Sequence, residues 1–177
     1  MLYVLIAVLV ILVVAYISIG NNLSRAQVKI DEAESGIDVA LTKRYDVLTK
    51  QLDIVKAYAK HEAETLEKLI ELRKGMTMAE KAAASNQMND LQKRISLVAE
   101  AYPELRSSEN FRTLQNAVTD SEEHLQAARR AYNANVSGFN QLLVTFPSSV
   151  VANGRGLTKR DFFEAEEAKK SDVKMEF

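Results

Sequence analysis

From Leu2 to Ile19 the chain reads LYVLIAVLVILVVAYISI without a charged side chain, and the first charge beyond it is Arg25. Coiled as an α-helix, about 18 residues extend roughly 27 Å, close to the ~30 Å hydrocarbon thickness of a bilayer. Leu, Ile and Val dominate the run, so its transfer into lipid is favourable by on the order of −5 kcal/mol. Tyr3 and Tyr16 stand near its two ends, where an amphipathic ring suits the headgroup layer. The reading is a retained transmembrane helix, with the bilayer as a partner through residues 2–19. Two alternatives stand beside it. A cleaved signal would carry a basic leader, a shorter apolar core and a small-x-small cleavage site; here no Lys or Arg precedes the run, and Tyr16-Ile17-Ser18-Ile19 is a poor cleavage site. A buried core helix would need an interior large enough to take an apolar rod on every side.

Arg25, Lys29, Lys43 and Arg44 follow the run, whereas only the α-amino group precedes it. The positive-inside bias therefore places the chain in the cell membrane with its C-terminal domain on the cytoplasmic side. Elsewhere the charges balance, with Lys+Arg 23 against Asp+Glu 24, which argues against nucleic acid as a partner. With Cys 0, disulfides, thiolate metal sites and thiol nucleophiles are excluded.

Gly20-Asn21-Asn22 follows the run as a hinge or a soft spot in a continuous helix, and Ser24 is a candidate cap for a new one. From there to about Lys74, apolar residues recur at steps of three and four: Ala26, Ile30, Ala33, Ile37, Leu41, Tyr45, Leu48, Leu52, Val55, Ala59, Leu66 and Ile70. That spacing predicts one long amphipathic helix, or two joined with little interruption, ending at Gly75. Thr77-Met78-Ala79-Glu80 fits a capping box. A second helix follows through Met88, Leu91, Ile95, Val98, Tyr102 and Leu105, interrupted by Pro103. Ser107-Ser108 then precedes a third helix with the stripe Phe111, Leu114, Val118, Ser121, Leu125, Ala128, Tyr132, Val136, Phe139, Leu143 and Phe146, stopped by Pro147. The fold class is all-α: an N-terminal transmembrane helix, then an antiparallel bundle of long helices with coiled-coil-like seams. The opposite faces, including Lys50-Gln51 and Glu122-Glu123, are read as solvated. The domains follow as anchor and hinge 1–22, bundle 23–150, and a C-terminal segment 151–177. That segment comprises a loop at Asn153-Gly154-Arg155-Gly156, a short helix from Asp161 to Lys170, and a tail.

Several dispersed motifs resemble the LemA family. They are Ala99-Glu100-Ala101-Tyr102-Pro103-Glu104-Leu105 with Glu109-Asn110-Phe111, and Ala128-Arg129-Arg130-Ala131-Tyr132-Asn133 with Phe139-Asn140 and Phe146-Pro147. In the first helix they are Ile37-Asp38-Val39-Ala40-Leu41, Lys43-Arg44-Tyr45-Asp46 and Val55-Lys56-Ala57-Tyr58-Ala59-Lys60-His61-Glu62; Phe162-Phe163 and Phe177 fit the C-terminal pattern. Glu34-Ser35-Gly36 stands where the family usually has a tryptophan, and Thr49-Lys50 where it usually has a proline, which implies a slimmer, straighter first helix. The resemblance implies a single-pass membrane protein with a long helical bundle, association with other envelope proteins, and no established general activity.

Chemistry-bearing patterns are sparse in the chain. The two histidines are His61 and His124. A di-iron bundle needs Glu-x-x-His pairs, but Tyr58 and Ser121 precede these histidines by three; a zincin helix needs a second His where Thr65 stands. Gly154-Arg155-Gly156-Leu157-Thr158-Lys159 lacks the spacing and the preceding strand of a phosphate loop. The basic pairs Lys43-Arg44, Arg129-Arg130 and Lys159-Arg160 are diluted by acids and read as solvated faces. Asn133, Asn135 and Asn140 read as register-fixing amides. No catalytic, cofactor or metal residue is assigned. The expectation is a noncatalytic scaffold that assembles with itself or with other membrane proteins; the alternative is a membrane-shaping protein that polymerises on the bilayer.

Overall fold

The computed structural model describes residues 1–59, 72 and 75–164. His61, Leu66, Ile70, the Asp161–Lys170 helix beyond Glu164 and the tail to Phe177 lie outside the described residues. Among the described residues there are five helices, α1 (Leu2–Tyr58), α2 (Met78–Ala101), α3 (Pro103–Ser107), α4 (Glu109–Val144) and α5 (Ser148–Gly154), and no strand.

Local chemistry accounts for most of the boundaries. Thr77 and Glu80 form the capping box of α2: the Glu80 amide donates to Thr77 Oγ1 at 3.3 Å, and the Thr77 amide donates to Glu80 Oε2 at 2.7 Å. At the far end of α2, Pro103 forces Tyr102 out of helical geometry, to φ −121° and ψ 87°, then serves as the first residue of α3. Ser108 takes an extended conformation between α3 and α4. Pro147 separates α4 from α5.

Two compact units can be recognised: Met1–Ser35 with Arg130–Phe162, and Gly36–Arg129 with the segment that starts at Phe163. In the first, α4 runs antiparallel to α1, with the Asn135 amide donating to the Lys29 carbonyl at 3.1 Å and Arg155 Nη1 donating to the Gly20 carbonyl at 3.0 Å. Leu23 and Ile30 of α1 are buried here, as are Tyr132, Val136, Phe139 and Leu143 of α4 and Val151 of α5. The extended chain after α5 is pinned to α4. Tyr132 donates its hydroxyl to the Asp161 carbonyl at 2.9 Å, and Asn140 pairs with both backbone groups of Arg160 at 2.9 and 3.0 Å. Asp161–Glu164 are not helical, contrary to the sequence expectation: the Asp161 and Glu164 carbonyls accept from Tyr132 and Arg129 of α4 instead of closing a turn of their own.

The apolar run differs from everything after it. An 18-residue window of α1 has a mean hydropathy of 3.0 and none of it is buried. Such a helix is long and apolar enough to cross a membrane, and it is compatible with an anchor or a signal sequence. Gly20 is no break. The helix continues through it, and Ser24, expected as a cap, donates its hydroxyl back to the Gly20 carbonyl at 3.1 Å.

In the second unit Ile37, Leu41, Leu48 and Val55 of α1, Met88, Leu91 and Ile95 of α2, Leu105 of α3, and Phe111, Val118 and Leu125 of α4 form the core. Each large side chain withdrawn from water contributes about 1.5–3 kcal/mol. Lys81 pairs with Asp38, and Asn89 and Gln92 meet Arg44, so α2 runs in the same direction as α1. Leu72, Gly75 and Met76 line one cavity with Asp38, Leu41 and Thr42, whereas an unbroken helix would carry Gly75 about 50 Å beyond Leu41. The first helix thus ends at Tyr58 and does not run unbroken to Lys74; the expected alternative, a second helix joined to it, falls outside the described residues. Phe146, expected in the apolar stripe of α4, lies beyond the helix end and is 80% exposed.

Candidate functional site

The buried positions of α1 include Leu23, Ile30, Ile37, Arg44 and Gln51, one residue in every seven. Arg44 therefore occupies an inward position that Ile37 fills one heptad earlier, and its guanidinium enters the core of the second unit with 0% of the residue exposed. Three partners meet it. Arg44 Nη2 donates to Asn89 Oδ1 at 2.7 Å and to Gln92 Oε1 at 3.1 Å, two side chains one turn apart on α2. Arg44 Nη1 stands 2.6 Å from Glu122 Oε2 on α4. Glu122 is in turn held by Gln126, whose amide donates to Oε1 at 2.7 Å. One guanidinium thereby ties three helices.

Burial lowers the Arg44 pKa below the usual guanidinium value, the Glu122 carboxylate opposes that shift, and the Arg129 charge adds to it. A guanidinium stays protonated in proteins, so Arg44 neither gives nor takes a proton near neutral pH. What it can do is fix register. A planar fork with three fixed acceptors tolerates no sliding of α2 or α4 along α1.

A second cation of this unit is also buried. Lys81, on the inward face of α2, reaches Asp38 at 2.6 Å beside a cavity of about 430 Å³ that Leu41, Tyr45, Asp46 and Met76 help to line. Arg129 stacks over Phe163, 4.5 Å from the ring centroid, and Phe163 is itself buried.

These contacts correct three sequence expectations. Arg44 of the Lys43-Arg44 pair, Gln51 and Glu122 are not on solvated faces: the first two are buried at inward heptad positions, and Glu122 turns toward Arg44. The step of seven from Ile37 to Arg44 to Gln51 was the available signal, hidden because these residue types are polar. Of the other basic pairs, Arg160 bonds Asp31 at 2.8 Å and Glu34 at 3.5 Å. Asn135 and Asn140 bond backbone groups, in keeping with the register-fixing reading. His124 is exposed. Among the described residues no three His, Cys, Asp or Glu gather where they could hold a metal ion.

A sequence model of the LemA family matches residues 33–177. The chain belongs to the LemA family. It is also similar to Protein LemA of Metamycoplasma hominis, with 28% identity over 163 residues, covering 89% of this chain and 74% of that protein. Within this LemA chain the family match takes in both buried cations, Arg44 and Lys81, and every residue that meets them. The apolar run Leu2–Ile19 precedes the match.

Proposed function

We propose that this LemA-family chain is a single-pass membrane-anchored scaffold that works by assembling with itself or with other envelope proteins and catalyses no reaction. One observation carries the reading: Leu2–Ser18 is apolar and exposed on every side, whereas the helix is packed from Gly20 onward. An apolar rod of that length is stable in lipid and not in water. Tethering confines the helical units to two dimensions and raises their effective concentration for neighbours in the same membrane. The two cations that the second unit buries, Arg44 and Lys81, are each engaged with a carboxylate, Glu122 and Asp38, which suits a rigid, register-locked body. Arg25 and Lys29, just past the run, favour a cytoplasmic C-terminal domain.

Membrane fractions washed with alkaline carbonate test the anchor: the full chain, starting at Met1, is expected to stay in the pellet. Cross-linking in intact cells, followed by size analysis in detergent, tests assembly. A released chain lacking residues 2–19 overturns the anchor, and a strict monomer without membrane neighbours overturns the scaffold.

A further inference from the structure

We propose that the first unit carries a phospholipid site of its own: a groove between α1 and α4 that holds an anionic headgroup, beside an apolar corner seated in the lipid interface. The inference rests on the anchoring of residues 2–19 proposed above. Its first support is charge. From Gly20 to Ile30, and again from Ala131 to Arg160, the sequence contains no Asp or Glu, although the chain as a whole is nearly neutral. Arg25, Lys29 and Arg155 fall in these stretches. Arg155 is committed to the Gly20 carbonyl and lies over the Tyr16 ring at 5.9 Å. Arg25 makes only a 3.4 Å bond to the Asn21 carbonyl of its own helix.

The second support is shape. A groove of about 400 Å³ lies between the two helices, walled by Asn22, Arg25, Lys29 and Asn135 over a floor that includes Phe139 and Leu142. No carboxylate among the described residues lines it. Two cations and two amides around an open volume match the oxygens of a phosphodiester, and the apolar floor suits the first carbons of a lipid. Arg25 begins about 9 Å along the helix from Ile19, so its long side chain reaches the headgroup layer.

The third support is the corner. The antiparallel register that joins Asn135 to Lys29 and sets Leu142 opposite Asn22 brings the end of α4 to the level of Ile17–Gly20. There Val144, Phe146 and Val150 are 65%, 80% and 63% exposed. Three large apolar side chains facing water at the boundary of a lipid-compatible helix leave water when that helix enters a bilayer. The occupant is therefore the leaflet the anchor enters, and the free phosphate ion is the alternative that the test separates.

The chain has no tryptophan, so a single introduced one reports a single place. Full-length Phe146→Trp and, separately, Tyr16→Trp are reconstituted in vesicles of phosphatidylcholine with phosphatidylglycerol, with bromine placed on one lipid or the other. Both are expected to show blue-shifted emission and quenching. At Phe146→Trp, brominated phosphatidylglycerol is expected to be enriched about fivefold or more over brominated phosphatidylcholine, falling to about onefold with Arg25→Gln and Lys29→Gln added. Unchanged helical circular dichroism confirms that this variant is folded. Quenched Tyr16→Trp with water-like Phe146→Trp overturns the corner and leaves the anchor standing, whereas unquenched Tyr16→Trp overturns the anchor itself. A lipid preference that survives the glutamines overturns the headgroup site. Loss of the preference on exchanging chloride for inorganic phosphate at constant ionic strength assigns the groove to free phosphate and overturns the lipid.

Discussion

The two units of this chain treat their cations in opposite ways. In the second unit, Arg44 and Lys81 are drawn into the core and each meets a carboxylate within 2.6 Å. In the first, Arg25 and Lys29 stay at the surface beside a groove that no described carboxylate lines, and Arg155 directs its charge to a backbone carbonyl. A buried charge without its counterion costs several kcal/mol, so the second arrangement is fixed by folding itself. A solvated charge costs almost nothing to leave open, so the first remains available to something outside the chain.

The largest test of this contrast is to unpair the buried cation. Glu122→Leu leaves the Arg44 guanidinium enclosed with only two amide oxygens and is expected to destabilise the protein by about 3–5 kcal/mol. Adding Arg44→Met removes the stranded charge and is expected to restore stability to within about 1 kcal/mol of the starting protein. Arg25→Gln with Lys29→Gln in the first unit is expected to change stability by less than about 0.5 kcal/mol. Urea unfolding followed by helical circular dichroism in detergent reads all three. An equal loss from the two regions, or no rescue by Arg44→Met, breaks the contrast.

How far these arrangements can be read from sequence depends on what sets each feature. The stripe of α4 was legible because Phe111, Val118, Leu125, Tyr132 and Phe139 are apolar and seven apart. The capping box at Thr77 and the break at Pro103 were legible because their causes are local. The end of α1 at Tyr58 was not: the sequence from Ile37 to Lys74 has neither proline nor glycine, and the apolar steps continue past it. Leu72 and Gly75 stand beside Leu41 through packing between residues distant in sequence, which no local propensity announces. Arg44 failed to register for a different reason. Apolar periodicity marks the inward face by residue type, and a cation with partners on two other helices carries no such mark until the fold brings Asn89, Gln92 and Glu122 together.

A smaller effect separates two causes of glycine within α1. At Gly20 an added Cβ would overlap the Arg155 guanidinium, which must swing aside and give up its bond to the Gly20 carbonyl. Gly20→Ala is therefore expected to cost about 1 kcal/mol despite the better helix propensity of alanine. In an Arg155→Ala background the obstruction is gone and the same change is expected to stabilise by about 0.5–1 kcal/mol. Thermal melts of the four proteins close this cycle. The same sign in both backgrounds means that Gly20 is not there to admit Arg155.

The smallest expected effect asks whether the open groove is open for a reason of folding. Gly138 stands mid-helix in α4 on the wall of that groove, and a Cβ there meets nothing within 4 Å, as at Gly36 in the second unit. Neither glycine has a positive φ, so neither needs to be glycine for backbone geometry. Gly138→Ala and Gly36→Ala are each expected to stabilise by about 0.5–1 kcal/mol, read as equal upward shifts in Tm. A gain at Gly36 with none at Gly138 means that the groove wall is packed against a group of the protein itself, and the volume between α1 and α4 is then not free to take a ligand. Equal gains leave it free, and the absence of a side chain at Gly138 then serves the width of the groove and not the stability of the helix.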